Sequence, residues 1–192
     1  MSALPLSPQA VQRQRIGRFG VQLFIVSETM FFAALFFAWY YLGVTSGSAW
    51  PPDGVQPPTF APAAVNTALT LLSAATMWIA ARSIRRDDQR GLVFWMSASA
   101  ALAVLFMGVQ TIEFRELALI AQDSSYGSLF LFLLFFHAAR VFVGVVLMVI
   151  VLIRSMLGQF NARRRLLVDA AEMYWYFIVV VWLAVFTVLY LL

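Results

Sequence analysis

Ser27-Glu28-Thr29-Met30-Phe31-Phe32 sets a carboxylate inside an apolar run that extends from Phe19 to Val44. A helix rises ~1.5 Å per residue, so Glu28 lies roughly 15 Å along the axis from Arg18 at the arginine-bearing end. That depth is near the middle of a hydrocarbon layer ~30 Å thick. An acid there costs at least ~2.5 kcal/mol on insertion scales, which predicts that it faces protein, a polar lipid group or water. Its helical neighbours Val21, Phe24, Phe31, Phe32 and Leu35 are all apolar, so any partner comes from another helix, another subunit or a lipid.

Working outward, the composition belongs to a membrane protein. Of 192 residues, 62% are hydrophobic and only 11% charged, where a soluble domain carries roughly a quarter charged residues; the mean hydropathy is +0.85. There is no cysteine, which excludes disulfides, iron–sulfur ligation and thiol catalysis. One histidine cannot supply bis-histidine haem ligation or a multi-histidine copper site. The net charge of +4 is not a nucleic-acid signal, because the basic residues, all arginine, cluster in short segments between apolar runs.

Those runs predict an all-α integral membrane bundle of five transmembrane helices, over about 19–44, 62–84, 91–117, 126–153 and 169–191. Residues 1–18 read as an N-terminal cytoplasmic segment, with Met1 to Arg15 disordered or on the membrane surface, ahead of a five-helix domain over 19–192. Gly47, Pro51-Pro52, Gly54 and Pro57-Pro58 mark a loop between the first two spans. Arg13, Arg15 and Arg18 resemble the basic region of a signal peptide, but the run that follows is too long for one and reads as an uncleaved span. The N-terminal segment, the second-to-third link and the fourth-to-fifth link hold eleven arginines; the other two loops hold one, Arg115. That asymmetry predicts a cytoplasmic N-terminus and a periplasmic C-terminus.

Polar residues inside the spans are the candidate functional groups. Asn66, Thr70, Ser73 and Met77 share one face of the second span and read as interhelical packing groups. Gln110 and Glu113 share a face near the outer end of the third, where Arg115 can snorkel to the headgroups. His137 and Arg140 lie on the fourth with Val141 and Gly144. Arg140 is fourteen residues before Arg154, so roughly 21 Å up the helix and at a depth comparable to Glu28. A contact of Glu28 with Arg140 or His137 would explain how each is tolerated, whether as a helix-joining carboxylate or as a proton relay. Asp169, Glu172 and Tyr176 share the inner end of the fifth, where acids also suit the helix dipole.

Taken in order, these segments resemble subunit III of the haem-copper respiratory oxidases. The matching stretches are Ser27-Glu28-Thr29-Met30-Phe31-Phe32, Val65-Asn66-Thr67-Ala68, Gln110-Thr111-Ile112-Glu113-Phe114 and Tyr126-Gly127-Ser128 leading to Phe136-His137. Asp169-Ala170-Ala171, Tyr174-Trp175-Tyr176-Phe177 and Val180-Val181-Trp182 complete the set, so the likeness runs from about residue 20 to the C-terminus. Longer members of the family have seven spans, and this chain resembles the short bacterial form that lacks the first two.

The resemblance implies a non-redox accessory subunit of a terminal oxidase, in which oxygen reduction is coupled to proton pumping. It implies no cofactor on this chain, with haem and copper on the catalytic subunit I against which it packs. Subunit II and a small subunit IV are further expected partners, along with membrane lipids and a bound phospholipid; the expected location is the bacterial cytoplasmic membrane. Family members are linked to stability of the catalytic subunit during turnover and to proton delivery toward the uptake channel. Glu28 matches the family's intramembrane glutamate, and Gln110 and Glu113 its glutamine–acid pair.

Three positions depart from the pattern. Arg140 stands where the family usually has a second histidine, Tyr176 where it has a histidine, and Val179 where it has an acid. Their loss weakens a proton-antenna role on the fifth span and favours structural support, and the missing spans put the family's lipid cleft in doubt. The electron donor, cytochrome c or a quinol, stays open because its site would lie on other subunits. A competing reading is a stand-alone transporter or proton channel using Glu28, His137, Arg140 and Glu113. Against it, no span is broken by glycine and proline at mid-membrane and no inverted repeat is visible. A lipid-modifying enzyme is a third reading, but one histidine with acids at different depths builds no catalytic site.

Overall fold

A computed structural model describes residues 8–46, 50, 59–120 and 125–191. Five helices account for nearly all of them: α1 Pro8–Thr45, α2 Phe60–Arg85, α3 Gln89–Ile120, α4 Ser125–Met156 and α5 Leu166–Phe186. A π-helical turn, Thr187–Leu191, continues α5. Each helix is long and apolar enough to cross a membrane, and such runs must be helical because only a helix satisfies its backbone polar groups within one segment. Most of the glycine- and proline-rich loop and of the short loop at Asp123 lies outside the described residues.

The first helix differs most from expectation. The stretch up to Arg15 is expected to be disordered or on the membrane surface, yet residues 8–15 form the beginning of α1. Gln, Ala and Arg over this stretch are good helix formers, and Pro8 costs little in a first turn, where its missing N–H would have had no partner. Two tertiary bonds hold the extension: Gln14 donates to the Arg163 carbonyl at 2.8 Å and Arg18 donates to Asp169.

The α2–α3 link is a tight turn. Asp87 takes a left-handed backbone, φ 59°, which aspartate tolerates better than most residues. Its carboxylate accepts from the Ala162 N–H at 2.6 Å, tying the turn to the α4–α5 connection. Asp88 accepts from the Gly91 N–H at 2.9 Å, and a Cβ on Gly91 would fall 2.2 Å from the same carboxylate. The α4–α5 connection turns at Gly158, φ 67°. The Asn161 side chain then accepts from the Arg163 and Arg164 N–H groups at 3.0 and 2.7 Å.

Packing closes α2, α3, α4 and α5 into a ring, each helix touching the next and α5 returning to α2, while α1 lies outside against α4 and α5. The core of the ring is Met77, Met96, Phe106, Leu133, Leu134, Met148, Ile178 and Trp182, all essentially buried. Among the described residues of α1, Phe32 and Trp39 join it, with Phe31, Leu35 and Phe36 packed against it. Gly144 permits the α4–α5 approach: a Cβ there would sit 2.8 Å from Ile178 and 2.9 Å from the Trp175 ring.

Candidate functional site

Polar side chains are distributed through this bundle in three places. At the N-terminal end of α5, Asp169 and Glu172 on its first turns are buried among three arginines. Arg18 of α1 donates to Asp169, and Arg165 donates to the same carboxylate at 3.3 Å. Arg85 of α2 donates to Glu172 at 2.6 Å and stands 3.9 Å from Asp169. Tyr176, one turn further along α5, donates its hydroxyl to Glu172 at 3.3 Å. The acids therefore do more than suit a helix dipole: they join α1, α2 and α5.

Near mid-span, Arg140 of α4 donates through Nε to the Glu28 carboxylate at 2.5 Å. The guanidinium also lies over the rings of Phe31, Phe136 and Phe32, at 4.9, 5.5 and 5.8 Å from their centroids. Both side chains are mostly covered, with 20% and 14% of their surface exposed. Cation–π contact of this kind contributes ~0.5–2 kcal/mol, and a planar delocalised cation is the one best suited to it. The Tyr174 hydroxyl approaches the Arg140 carbonyl at 3.4 Å and its ring meets Phe24 of α1. Among the described residues, this is the one place where α1 shares a charge pair with α4.

His137 does not join that pair. Three residues before Arg140, it points the other way, into the ring core, where it is 1% exposed. Its imidazole lies 5.2 Å from the Trp182 ring and 5.8 Å from Phe106. Neither ring nitrogen has a hydrogen-bond partner among the described residues.

Inside the ring, α2 carries most of the remaining polar groups. Asn66 donates to Gln110 of α3 at 3.2 Å. Thr67 accepts from the Trp182 indole at 3.0 Å. Ser73 accepts from the Trp175 indole at 3.0 Å, while its carbonyl accepts from Ser99 at 3.0 Å. Glu113 accepts from the Tyr190 hydroxyl at 2.5 Å, at the opposite end of the bundle from Asp169. Asn66, Thr70, Ser73 and Met77 are all buried. Composition alone missed the two tryptophan donors and Tyr190. The available signal was that an indole or phenol deep in a bundle needs an acceptor.

Chemically, the arrangement joins helices. Glu28 with Arg140 joins α1 to α4 outside the ring core, His137 lies inside it, and Glu113 is paired with the end of α5, so these groups stand in three separate places. Among the described residues, no three histidine or acidic side chains gather as metal ligands.

Comparison with known proteins agrees with the order of segments. A family model described as cytochrome c oxidase subunit III matches residues 8–192. The chain is similar to cytochrome c oxidase subunit 3 of Marchantia polymorpha, 36% identical over 90% of this chain and 67% of the relative. It is likewise similar to that of Thermostichus vulcanus, 33% identical over 90% of this chain and 86% of the relative. The Sus scrofa protein of the same name is 32% identical over 90% of this chain and 68% of its own length.

Proposed function

The chain belongs to the cytochrome c oxidase subunit III family, and from that premise we propose that it supports its oxidase mechanically, through helix α1 and the Glu28–Arg140 pair. It is an accessory, multi-pass membrane subunit of a haem-copper oxidase, without a cofactor of its own; haem and copper belong to the catalytic subunit. The reading as a stand-alone transporter has no support. In the proposed assembly the direct partner is subunit I, with subunit II and a small subunit IV nearby, in a bacterial inner membrane. The N-terminus is cytoplasmic, which puts the Arg18, Arg85 and Arg165 cluster at the uptake side and Tyr190 with Glu113 at the periplasmic side.

Glu28, His137 and Arg140 form the proposed intramembrane site, but with divided roles. The single observation behind this reading is the ion pair between Arg140 and Glu28. An arginine remains charged in proteins, so here the carboxylate faces a permanent counter-cation where the family usually places a histidine. Such a pair suits a helix clamp better than a proton relay. On α5, Tyr176 bonded to Glu172 and buried Val179 stand where the family has titratable groups, which again favours support over proton collection. Asn66, Gln110, Glu113, Asp169 and Tyr176 act as subunit-packing groups.

The test is Glu28→Gln in the intact oxidase. Gln keeps an acceptor for Arg140, so the complex assembles; the Arg140 charge is left uncompensated, so α1 loosens and the oxidase loses activity over fewer turnovers. Normal lifetime with unaltered subunit retention would overturn the mechanical role of the pair.

A further inference from the structure

The buried histidine leaves a local problem unsolved by anything described so far. A neutral imidazole carries one N–H donor and one acceptor, and leaving a buried polar group unmade costs ~1–3 kcal/mol. Yet both nitrogens of His137 lack a protein partner among the described residues. His137 borders an internal void of about 10 Å³, shared with Thr70, Ser73, Phe106, Trp175 and Ile178. That is about the minimum volume that holds one water.

Hydrogen-bond capacity in the wall matches one water as well. Thr70 donates its hydroxyl proton to the Asn66 carbonyl at 2.8 Å, which leaves both its oxygen lone pairs able to accept. Ser73 donates to the Thr70 carbonyl at 2.7 Å and accepts from Trp175, which leaves one lone pair. A water in the void could donate to the threonine or serine oxygen and bond the histidine through its remaining capacity. It would then have the two to four partners that buried waters have.

We propose that this void is a hydration site, holding a single water between the His137 imidazole and the Thr70 hydroxyl. α2 and α4 each pack mainly against α3 and α5 in the ring, so the water adds a bridge between two helices that share few direct contacts. It also joins the inner hydrogen-bonded group of Ser73, Ser99 and Trp175 to the only histidine of the chain. The proposal rests on the geometry of the ring core and not on the role of the Glu28–Arg140 pair.

The experiment is a map of the intact oxidase complex at a resolution that shows other buried waters, for the natural chain and for Thr70→Val and Thr70→Ser. The expected result is a peak within ~3.2 Å of a His137 ring nitrogen and of the Thr70 hydroxyl. It is lost in Thr70→Val, which has no acceptor, and kept in Thr70→Ser. An empty void in the natural protein, or a peak unchanged in Thr70→Val, would overturn the proposal. Should Thr70→Val fail to assemble, the natural protein and Thr70→Ser still decide, because the peak must be present in both.

Discussion

Arg140 on α4 reaches across to Glu28 on α1 with a 2.5 Å hydrogen bond, and three phenyl rings enclose its guanidinium. The pair stands between the four-helix ring and the helix that lies outside it. A second ion pair, Arg18 to Asp169, ties the N-terminal part of the same helix to α5. Among the described residues α1 contributes Phe32 and Trp39 to the buried core, with Phe31, Leu35 and Phe36 packed against it, and these two polar ties add to that apolar docking.

Removing one partner of a largely covered ion pair is much costlier than removing both. Arg140→Leu leaves the Glu28 carboxylate without its cation and is expected to destabilise the subunit by ~3–5 kcal/mol. Glu28→Leu combined with Arg140→Leu should cost clearly less than the sum of the two single changes. Thermal release of the subunit from the purified complex measures all four corners of this cycle. Additive losses would mean that the pair is not coupled.

Asp169→Asn tests the Arg18 tie. It removes the charge that Arg18 and Arg165 share, and the first three turns of α1 should open more readily, read as faster amide exchange over residues 8–18. Arg18 is half exposed, so the natural tie should also weaken with rising salt. In Asp169→Asn the exchange should depend little on salt. Equal salt dependence in both proteins would place the tie elsewhere.

Much of this was legible in the sequence for a simple reason: apolar runs of bilayer length leave few alternatives to helices. Glu28 and Arg140 could be matched in depth because helical rise is constant. Which helices touch is a different kind of fact, set by ring closure and by Gly144, and the same spacing left His137 and Arg140 indistinguishable as partners. The structure separates them, one into the core and one toward α1. The arginines at 18, 85 and 165 were read only as topology signals, because charge asymmetry says where they stand but not that two buried acids lie within reach. Helix from Pro8 was missed because a polar stretch without an apolar face gives no periodic signal.

Gly144 and Gly108 offer a contrast within one fold. Gly144→Ala presses a methyl against Trp175 and Ile178, and overpacking of this kind costs ~1–3 kcal/mol, more than the ~1 kcal/mol that alanine gains as a helix former. Gly108 has nothing within 4 Å of an added Cβ, so Gly108→Ala should be neutral or slightly stabilising. Melting temperatures of the two variants within the complex should move in opposite directions or by very different amounts. Equal shifts would contradict the close α4–α5 packing.

Asn66 and Gln110 are the buried amide pair between α2 and α3. Hydrogen bonds between membrane helices average about 0.6 kcal/mol in coupling, so the Asn66→Leu and Gln110→Leu cycle should show a coupling of that order, not several kcal/mol. Detergent-dependent melting of the four variants gives the number. A coupling of several kcal/mol would indicate that the pair supports more than α2–α3 contact.

The most direct measurement is purification of the tagged chain from its native membrane in mild detergent, followed by a reduced-minus-oxidised spectrum and subunit masses. An accessory oxidase subunit predicts haem absorbance with a large multi-span partner at equal stoichiometry. A haem-free chain that associates only with itself would contradict it.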